Sequence, residues 1–507
     1  MSHATETEVF YPSTEVIEQA NVPEYQKMYD YSVSHRKEFW ADQADTLSWY
    51  KRWDTVLDET NAPFYKWFDG GSINIVHNAV DRHLENANRN KMAIIWEGEN
   101  GQVRNYSYSG LNREVCQFAN TLKSMGVNKG DIVTIYMPQI PELIFAMLAC
   151  AKIGAIHSVV YGGFSTEALA SRIDDAQSRV LVTADGGWRR GKPIDLKSIA
   201  NDAMKRTPSI EVCICVKNNN LDVEMEPTRD FWLHDLKALP IASSKCETEQ
   251  TDAEDPLFIL YTSGTTGKPK GMLHTHGGYS VYTSTTHRMA FDIKPQDIWW
   301  CAADPGWITG HSYIVYGPLI NGATIMLYEG APNYPYPNRW WQIVEKYGVN
   351  IFDKENREQL KLNKLLKKAK NNNLSIVDIE VQLGARKRLK TRLVAIRLPE
   401  EVAQERRRKA RNDRHSKVNH SEDYYERLGW CIFITNIPLG ILSALQITKV
   451  YRFRWRIEII FKVWKSKFNF DGMFNKTSMK SSRAIITFYH RGFGTSFTFG
   501  LAYFIFY

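Results

Sequence analysis

The feature that most restricts how this chain can fold is an abrupt change of texture near residue 352. Residues 353–507 hold 32 Lys and Arg against 14 Asp and Glu, a net of +18, whereas residues 1–352 hold 32 against 42, a net of −10. The whole-chain value of +8 hides that split. The stretch from Asp353 to Asn373 is rich in Lys and Asn, and basic residues dominate from Arg386 to Arg414, including the run Arg406 to Arg411. No Gly/Ser linker marks the change and no internal repeat is visible, so a join between unrelated segments is expected at 350–356. Such asymmetry implies two units with different partners, the basic one facing nucleic acid or another polyanion.

A length of 507 residues exceeds one ordinary core and allows two to four domains. With 43% hydrophobic and 24% charged residues, the chain has the composition of a soluble globular protein. The first residues, Met1 to Glu6, lack a basic region followed by an apolar one, so no secretory signal is expected. No uncharged apolar run reaches the roughly 18 residues a membrane helix needs; the Phe-rich tail from Gly492 to Tyr507 is short and interrupted. The seven cysteines are scattered without a C-x-x-C pair, and Cys213 and Cys215 alternate as on one strand face. That pattern fits a reduced, cytoplasmic protein with no disulfide framework and disfavours a catalytic thiol.

Residues 1–85 are rich in aromatics (Phe39-Trp40, Trp49-Tyr50, Trp67-Phe68) and are expected to form a layer on a larger domain. From about Lys91 the pattern becomes α/β. Short apolar strands are expected at Met92–Trp96, Ile132–Tyr136, His157–Tyr161 and Val180–Thr183, with an apolar helix from Pro141 to Ile153 opened by Pro-Glu. This alternation predicts a mostly parallel sheet covered by helices.

The sharpest chemical signal follows the apolar strand Pro256–Tyr261. The ten residues Thr262, Ser263, Gly264, Thr265, Thr266, Gly267, Lys268, Pro269, Lys270 and Gly271 contain four hydroxyls, three glycines and two lysines. Glycines let the backbone aim N–H groups at anionic oxygens, the hydroxyls add donors and Lys268 and Lys270 add charge. Pro269 stands where a Walker loop needs its second glycine, and it disfavours a helix starting just after Lys268. The string resembles the signature of the adenylate-forming superfamily, in which this loop holds the β- and γ-phosphates of ATP. The segments Leu273–Tyr279, Trp299–Tyr313, Tyr316–Leu319, Glu329–Pro335, Val159–Ser165 and Tyr136–Glu142 resemble acetyl-CoA synthetases almost word for word, from about Glu24 to Phe352.

That resemblance implies roles. Arg189, Arg190, Gly191 and Lys192 match a basic turn that grips the phosphates of CoA, with arginine able to contact phosphate bidentately; Thr309 and Asn333 match further CoA contacts. Trp307, Ile308 and Thr309 match one wall of the acyl pocket, where a large aromatic limits substrate length. His274, His276 and His311 are read as positional, no protein-held metal is expected, and Mg²⁺ would arrive with ATP. The implied substrates are acetate, ATP and CoA, with no membrane partner.

The family's remaining parts come mostly from sequence beyond the junction: a Gly-Glu-Pro adenine contact, an Asp-Thr-Trp-Trp-Gln-Thr-Glu strand, ribose-binding Asp and Arg residues and a mobile C-terminal domain with the catalytic lysine. None of these strings occurs in 353–507. Little or no ligase activity is therefore expected, and the unfinished sheet should leave a strand edge exposed.

In the basic segment, Tyr451, Arg454, Glu458 and Lys465 fall at about 0°, 300°, 340° and 320° around a helix, on one face. Spacing alone serves an ordinary basic amphipathic helix equally well. The wording from Tyr451 to Ser466, with Leu393–Glu401 and Leu428–Pro438 before it, resembles insertion-sequence transposases with a DDE triad. The resemblance implies an RNase H-like site in which Glu458 is the third metal-binding carboxylate and Tyr451, Arg454 and Lys465 contact DNA. Divalent-metal chemistry there needs three carboxylates, and neither Asp353 nor Asp378 has matching context. Non-specific DNA binding through phosphates remains open to residues 353–507.

The expected architecture is thus α/β: an aromatic layer (1–85), a truncated AMP-binding domain of parallel sheets with flanking helices (86–352), and a partial transposase-like segment (353–507). Three functions compete: a partly active acyl-CoA synthetase, a DNA-binding transposase remnant, and a hybrid left by a mobile element in a synthetase gene with neither site complete. The third is preferred.

Overall fold

The computed structural model describes residues 12–262 and 269–353 and, beyond them, chiefly 374–383, 389–412 and 428–435. The chain divides into two compact units, Met1–Glu355 and Asn356–Tyr507, and each is described by itself.

In the first unit the strands are β1 (Thr55–Asp58), β2 (Lys66–Asp69), β3 (Met92–Gly98), β4 (Val103–Ser107), β5 (Ile132–Tyr136), β6 (Ile156–Val159), β7 (Val180–Ala184) and β8 (Gly186–Arg189). They continue with β9 (Lys192–Asp195), β10 (Val212–Val216), β11 (Asp230–Trp232), β12 (Pro256–Thr262), β13 (Lys270–Thr275), β14 (Ile298–Cys301), β15 (Thr324–Glu329) and β16 (Ile351–Asp353). A seven-stranded sheet runs β11-β10-β7-β5-β6-β12-β13, and a five-stranded sheet runs β16-β14-β15-β3-β4. The first is parallel except for β13, which returns antiparallel along β12; the second is parallel except for β4. Parallel strands need both faces covered, and the sequence supplies this: all five residues of β7 and all four of β6 are buried.

The helix Pro141–Lys152 explains how the layers stay together. Proline at its first position and Glu142 in its first turn start it well, and every residue except Glu142 is buried. A helix apolar on all sides must lie inside. Its one buried cation, Lys152, donates to Asp81 Oδ1 at 2.8 Å and to Thr248 Oγ1 at 2.6 Å. The surrounding core takes side chains from both sheets, including Ile94 and Trp96 of β3, Val133 and Ile135 of β5 and Leu257 and Phe258 of β12. Cys213 and Cys215 both point into buried surroundings of β10.

The aromatic N-terminal stretch packs by ring contacts. Trp49, Trp53 and Phe68 form a triangle with centroids about 5 Å apart, and Trp40 reaches Trp67 at 6.2 Å and Tyr282 at 6.3 Å. Asn21 ties the extreme end down through Asp292, Arg288 and Ile293.

The last strand, β16, pairs only with β14 (Trp299↔Ile351, Cys301↔Asp353) and ends the five-stranded sheet among the described residues. Phe352 stacks on Trp300 at 4.6 Å and meets Trp340 and Trp341.

The second unit contains a three-stranded antiparallel sheet, β17 (Ile376–Leu383), β18 (Leu389–Arg397) and β19 (Trp430–Thr435), with a helix Glu400–Asn412 between β18 and β19. Arg392, 3% exposed, makes a bidentate pair with Asp378, both bonds at 2.7 Å. Both units are therefore mixtures of sheet and helix, as the α/β expectation required.

Phe258 meets the rings of His157, His274 and His311 at 5.4, 4.5 and 4.4 Å, His157 stacks on His311 at 5.5 Å, and buried His276 heads the helix His276–Ala290. Burial holds His276, His287 and His311 far below the ordinary 6.5, each at about 3. These rings stay neutral in the fold, while the unfolded chain protonates them as pH drops below about 6.5. Their stabilising contribution is complete above that pH and is lost on acidification toward 3. Urea titrations from pH 7 to 4 should give an uptake of about three protons on unfolding near pH 5, or about 4 kcal/mol per pH unit from these rings. A flat urea midpoint across that range would refute the neutral assignment.

Candidate functional site

The loop richest in phosphate-binding chemistry joins β12 to β13. Its flanks are described: Thr262 ends β12, Lys270 opens β13, and the two are register partners across the antiparallel pair. Both are exposed. After Pro269 the chain enters a strand and not a helix. Ser263, Gly264, Thr265, Thr266, Gly267 and Lys268 lie outside the described residues, as do Tyr451, Arg454, Glu458 and Lys465.

Below the loop, Tyr261 donates to Asp175 Oδ2 at 2.9 Å. The Arg172 guanidinium lies 5.8 Å from the Tyr261 ring and 4.5 Å from that of Phe164. Phe164 in turn meets Trp307 edge-on at 6.3 Å. A continuous run of side chains thus leads from the root of the loop to Trp307. Trp307 and Ile308 are 47% and 44% exposed, which is unusual for side chains of that size and suits an open pocket wall. Thr309 follows in the short helix Ile308–Gly310.

Asp304, just before this wall, accepts from Gly306 N–H at 2.7 Å and Gln139 Nε2 at 3.4 Å; burial pushes its carboxyl up to about 6. Gly306 is needed at that turn, because a Cβ there would collide with the Tyr161 backbone.

The basic turn lies at the tip of the β8–β9 hairpin. Arg189 closes β8, Lys192 opens β9, and Arg190 and Gly191 take left-handed backbone angles, φ 55° and 72°. All four residues are exposed. Arg190 donates to Asn333 Oδ1 at 3.4 Å, joining two sequence-predicted residues that stand 143 positions apart. Gly191 N–H donates to Glu99 Oε1 at 2.7 Å, and Ala331 N–H donates to Glu99 Oε2 at 2.7 Å. At the root of the hairpin, Trp188 N–H and Asn218 Nδ2 donate to Glu329 Oε1 at 3.0 and 3.1 Å, and burial pushes the Glu329 carboxyl up to about 7.

Sequence reasoning missed Arg172, Asp304, Glu99 and Glu329. Each acts across the fold on a partner distant in sequence, so composition and spacing carry little sign of them. Asp304 and Glu329 do stand inside the quoted motif segments.

With this geometry in view, the comparisons with known proteins become specific. The model for AMP-binding enzymes matches residues 80–404, that for the acetyl-coenzyme A synthetase N-terminus matches 25–79, and that for the transposase DDE domain matches 356–487. The chain belongs to the AMP-binding enzyme family. Among its relatives, the acetyl-coenzyme A synthetase of Bdellovibrio bacteriovorus is 49% identical over 351 residues, covering 68% of this chain and 54% of that protein. Those of Streptomyces coelicolor and Deinococcus radiodurans are each 52% identical, over 343 and 349 residues, covering 68% of this chain and 52% and 53% of theirs. The chain spans about half the length of the curated relatives it matches. Its remainder carries transposase DDE sequence, and the two matches overlap over 356–404. Among the described residues, no helix is long and apolar enough to cross a membrane.

Gly191→Ala tests the turn directly. The added methyl would strike the Tyr334 hydroxyl, and the left-handed angle disfavours any side chain. The substitution should destabilise the hairpin by about 1–3 kcal/mol, read as faster amide exchange over residues 186–195. Unchanged exchange would contradict the described turn.

Proposed function

We propose that residues 25–352 are the substrate-gripping part of an AMP-forming acetate–CoA ligase, joined to a transposase-derived segment, and that the chain by itself has little or no ligase activity. The reading rests on the meeting of Arg190 with Asn333 at one exposed, strongly basic turn. Two arginines and a lysine around a glycine suit a polyphosphate, and the arginines add bidentate geometry. The incomplete part of the proposal is supported from the other side, since the match covers only 52–54% of the length of the three relatives named above.

In this reading the chain from Thr262 to Lys270 wraps the β- and γ-phosphates of ATP, and Mg²⁺ comes in with those phosphates, whose oxygens supply its ligands. Arg189, Arg190, Lys192, Thr309 and Asn333 hold CoA. Trp307, Ile308 and Thr309 line the acetate end. The chemistry requires a carboxylate to attack the α-phosphate and a thiol then to displace AMP. Charge stabilisation at the α-phosphate and a closed tunnel for the thiol are the parts proposed to be missing. The junction is proposed at 350–356, with the transposase-like segment after it. Glu458 would be one carboxylate of a metal site that needs three, so no strand transfer is expected. The basic segment's residual capacity is non-specific contact with DNA phosphates, and the chain is assigned to the cytoplasm.

The test uses the purified full chain beside an intact acetyl-coenzyme A synthetase. Acetate-dependent exchange of pyrophosphate into ATP should be reduced at least a thousandfold, while CoA binding by calorimetry should persist and weaken tenfold or more in Arg189→Ala/Arg190→Ala. Exchange near the intact enzyme's rate would overturn the incomplete reading. CoA binding indifferent to both arginines would overturn the assignment of the turn.

A further inference from the structure

We propose that Glu99 is a positioning residue: its carboxylate staples the basic turn Arg189–Lys192 to the segment Ala331–Tyr334, so that both present one surface to the phosphates of coenzyme A. The ligand in this inference rests on the proposed function above; the staple itself stands on geometry alone.

Two segments 140 residues apart must be aligned for Arg190 and Asn333 to meet, and among the described residues no sheet pairs one segment with the other. Glu99 follows β3 directly and is 9% exposed. One carboxylate oxygen accepts from Gly191 N–H and the other from Ala331 N–H, both at 2.7 Å. One rigid planar group therefore fixes the separation of two backbones. Bonds of an N–H to an ionised carboxylate are shorter and roughly twice as strong as neutral ones, which suits a turn whose Arg190 and Gly191 both adopt left-handed angles. The neighbouring strand repeats the device: Glu329 of β15, register partner of Gly98, holds Trp188 N–H at the root of the same hairpin.

The arrangement also answers an electrostatic problem. Three cations at one exposed tip repel one another, and an acidic group beneath them lowers that repulsion. Both oxygens of Glu99 are engaged by backbone N–H groups, so the carboxylate supports the turn without taking up its guanidinium groups.

Hydrogen exchange by mass spectrometry on the full chain, together with calorimetric titration, tests this. In Glu99→Ala, peptides spanning 186–195 and 329–336 should both exchange at least tenfold faster, while β3 and the core of β15 keep their protection. Acceleration of one segment alone, or of neither, overturns the staple. Should Glu99→Ala lose the whole sheet, Glu99→Gln decides: it keeps a single accepting oxygen and should release one of the two segments, and release of neither overturns the proposal. Titrated with coenzyme A, Glu99→Ala should bind at least tenfold more weakly with Mg·ATP affinity unchanged, and Glu99→Gln should recover part of the loss. Equal coenzyme A affinity in wild type and Glu99→Ala overturns the positioning role. A wild-type chain that ignores coenzyme A overturns the ligand reading, and the exchange rates still judge the staple.

Discussion

Burial of the helix Pro141–Lys152 is the constraint on which the first unit depends. Eleven of its twelve residues are removed from water, and at roughly 25 cal/mol per Å² of apolar surface such a helix contributes strongly to the core. It can be buried only if strands β5 and β6 and the helix Tyr108–Ser124 close around it. Its cation is acceptable there because Asp81 and Thr248 meet it. With that layer fixed, the carboxyl ends of β6, β12 and β15 point the Tyr161–Phe164 segment, the phosphate-loop flanks and Glu329 toward functional work, as parallel α/β sheets do elsewhere.

Elements with a strong local signature were legible in the sequence. Ile132–Tyr136 appears as a strand with those bounds, and the helix expected from Pro141 to Ile153 ends one residue sooner. Proline at its start and an unbroken apolar run leave little choice there. Strands expected at His157–Tyr161 and Val180–Thr183 occupy Ile156–Val159 and Val180–Ala184, because pairing with β5 and β10 sets the ends, not propensity. The β8–β9 hairpin was visible only as a basic turn. Its tip depends on Glu99 and Tyr334, and a contact between residues almost a hundred or more positions apart leaves no periodic trace.

The same division applies to the candidate site. Residue types whose chemistry is concentrated in one short string, such as Thr262 to Lys270, announce themselves. Groups that matter through environment do not: Asp304 and Glu329 are ordinary carboxylates until burial raises them to about 6 and about 7. Arg172 is an ordinary helix arginine until Phe164 and Tyr261 are found beneath it.

In the second unit, Asp378 and Arg392 are locked to each other by two bonds at the centre of a small antiparallel sheet. A metal ion seeking that carboxylate would have to compete with the Arg392 guanidinium for both of its oxygens. The aspartate is thus a rivet of the sheet, and a carboxylate clasped on both oxygens by a guanidinium is closed to other ligands for as long as the strands stay riveted.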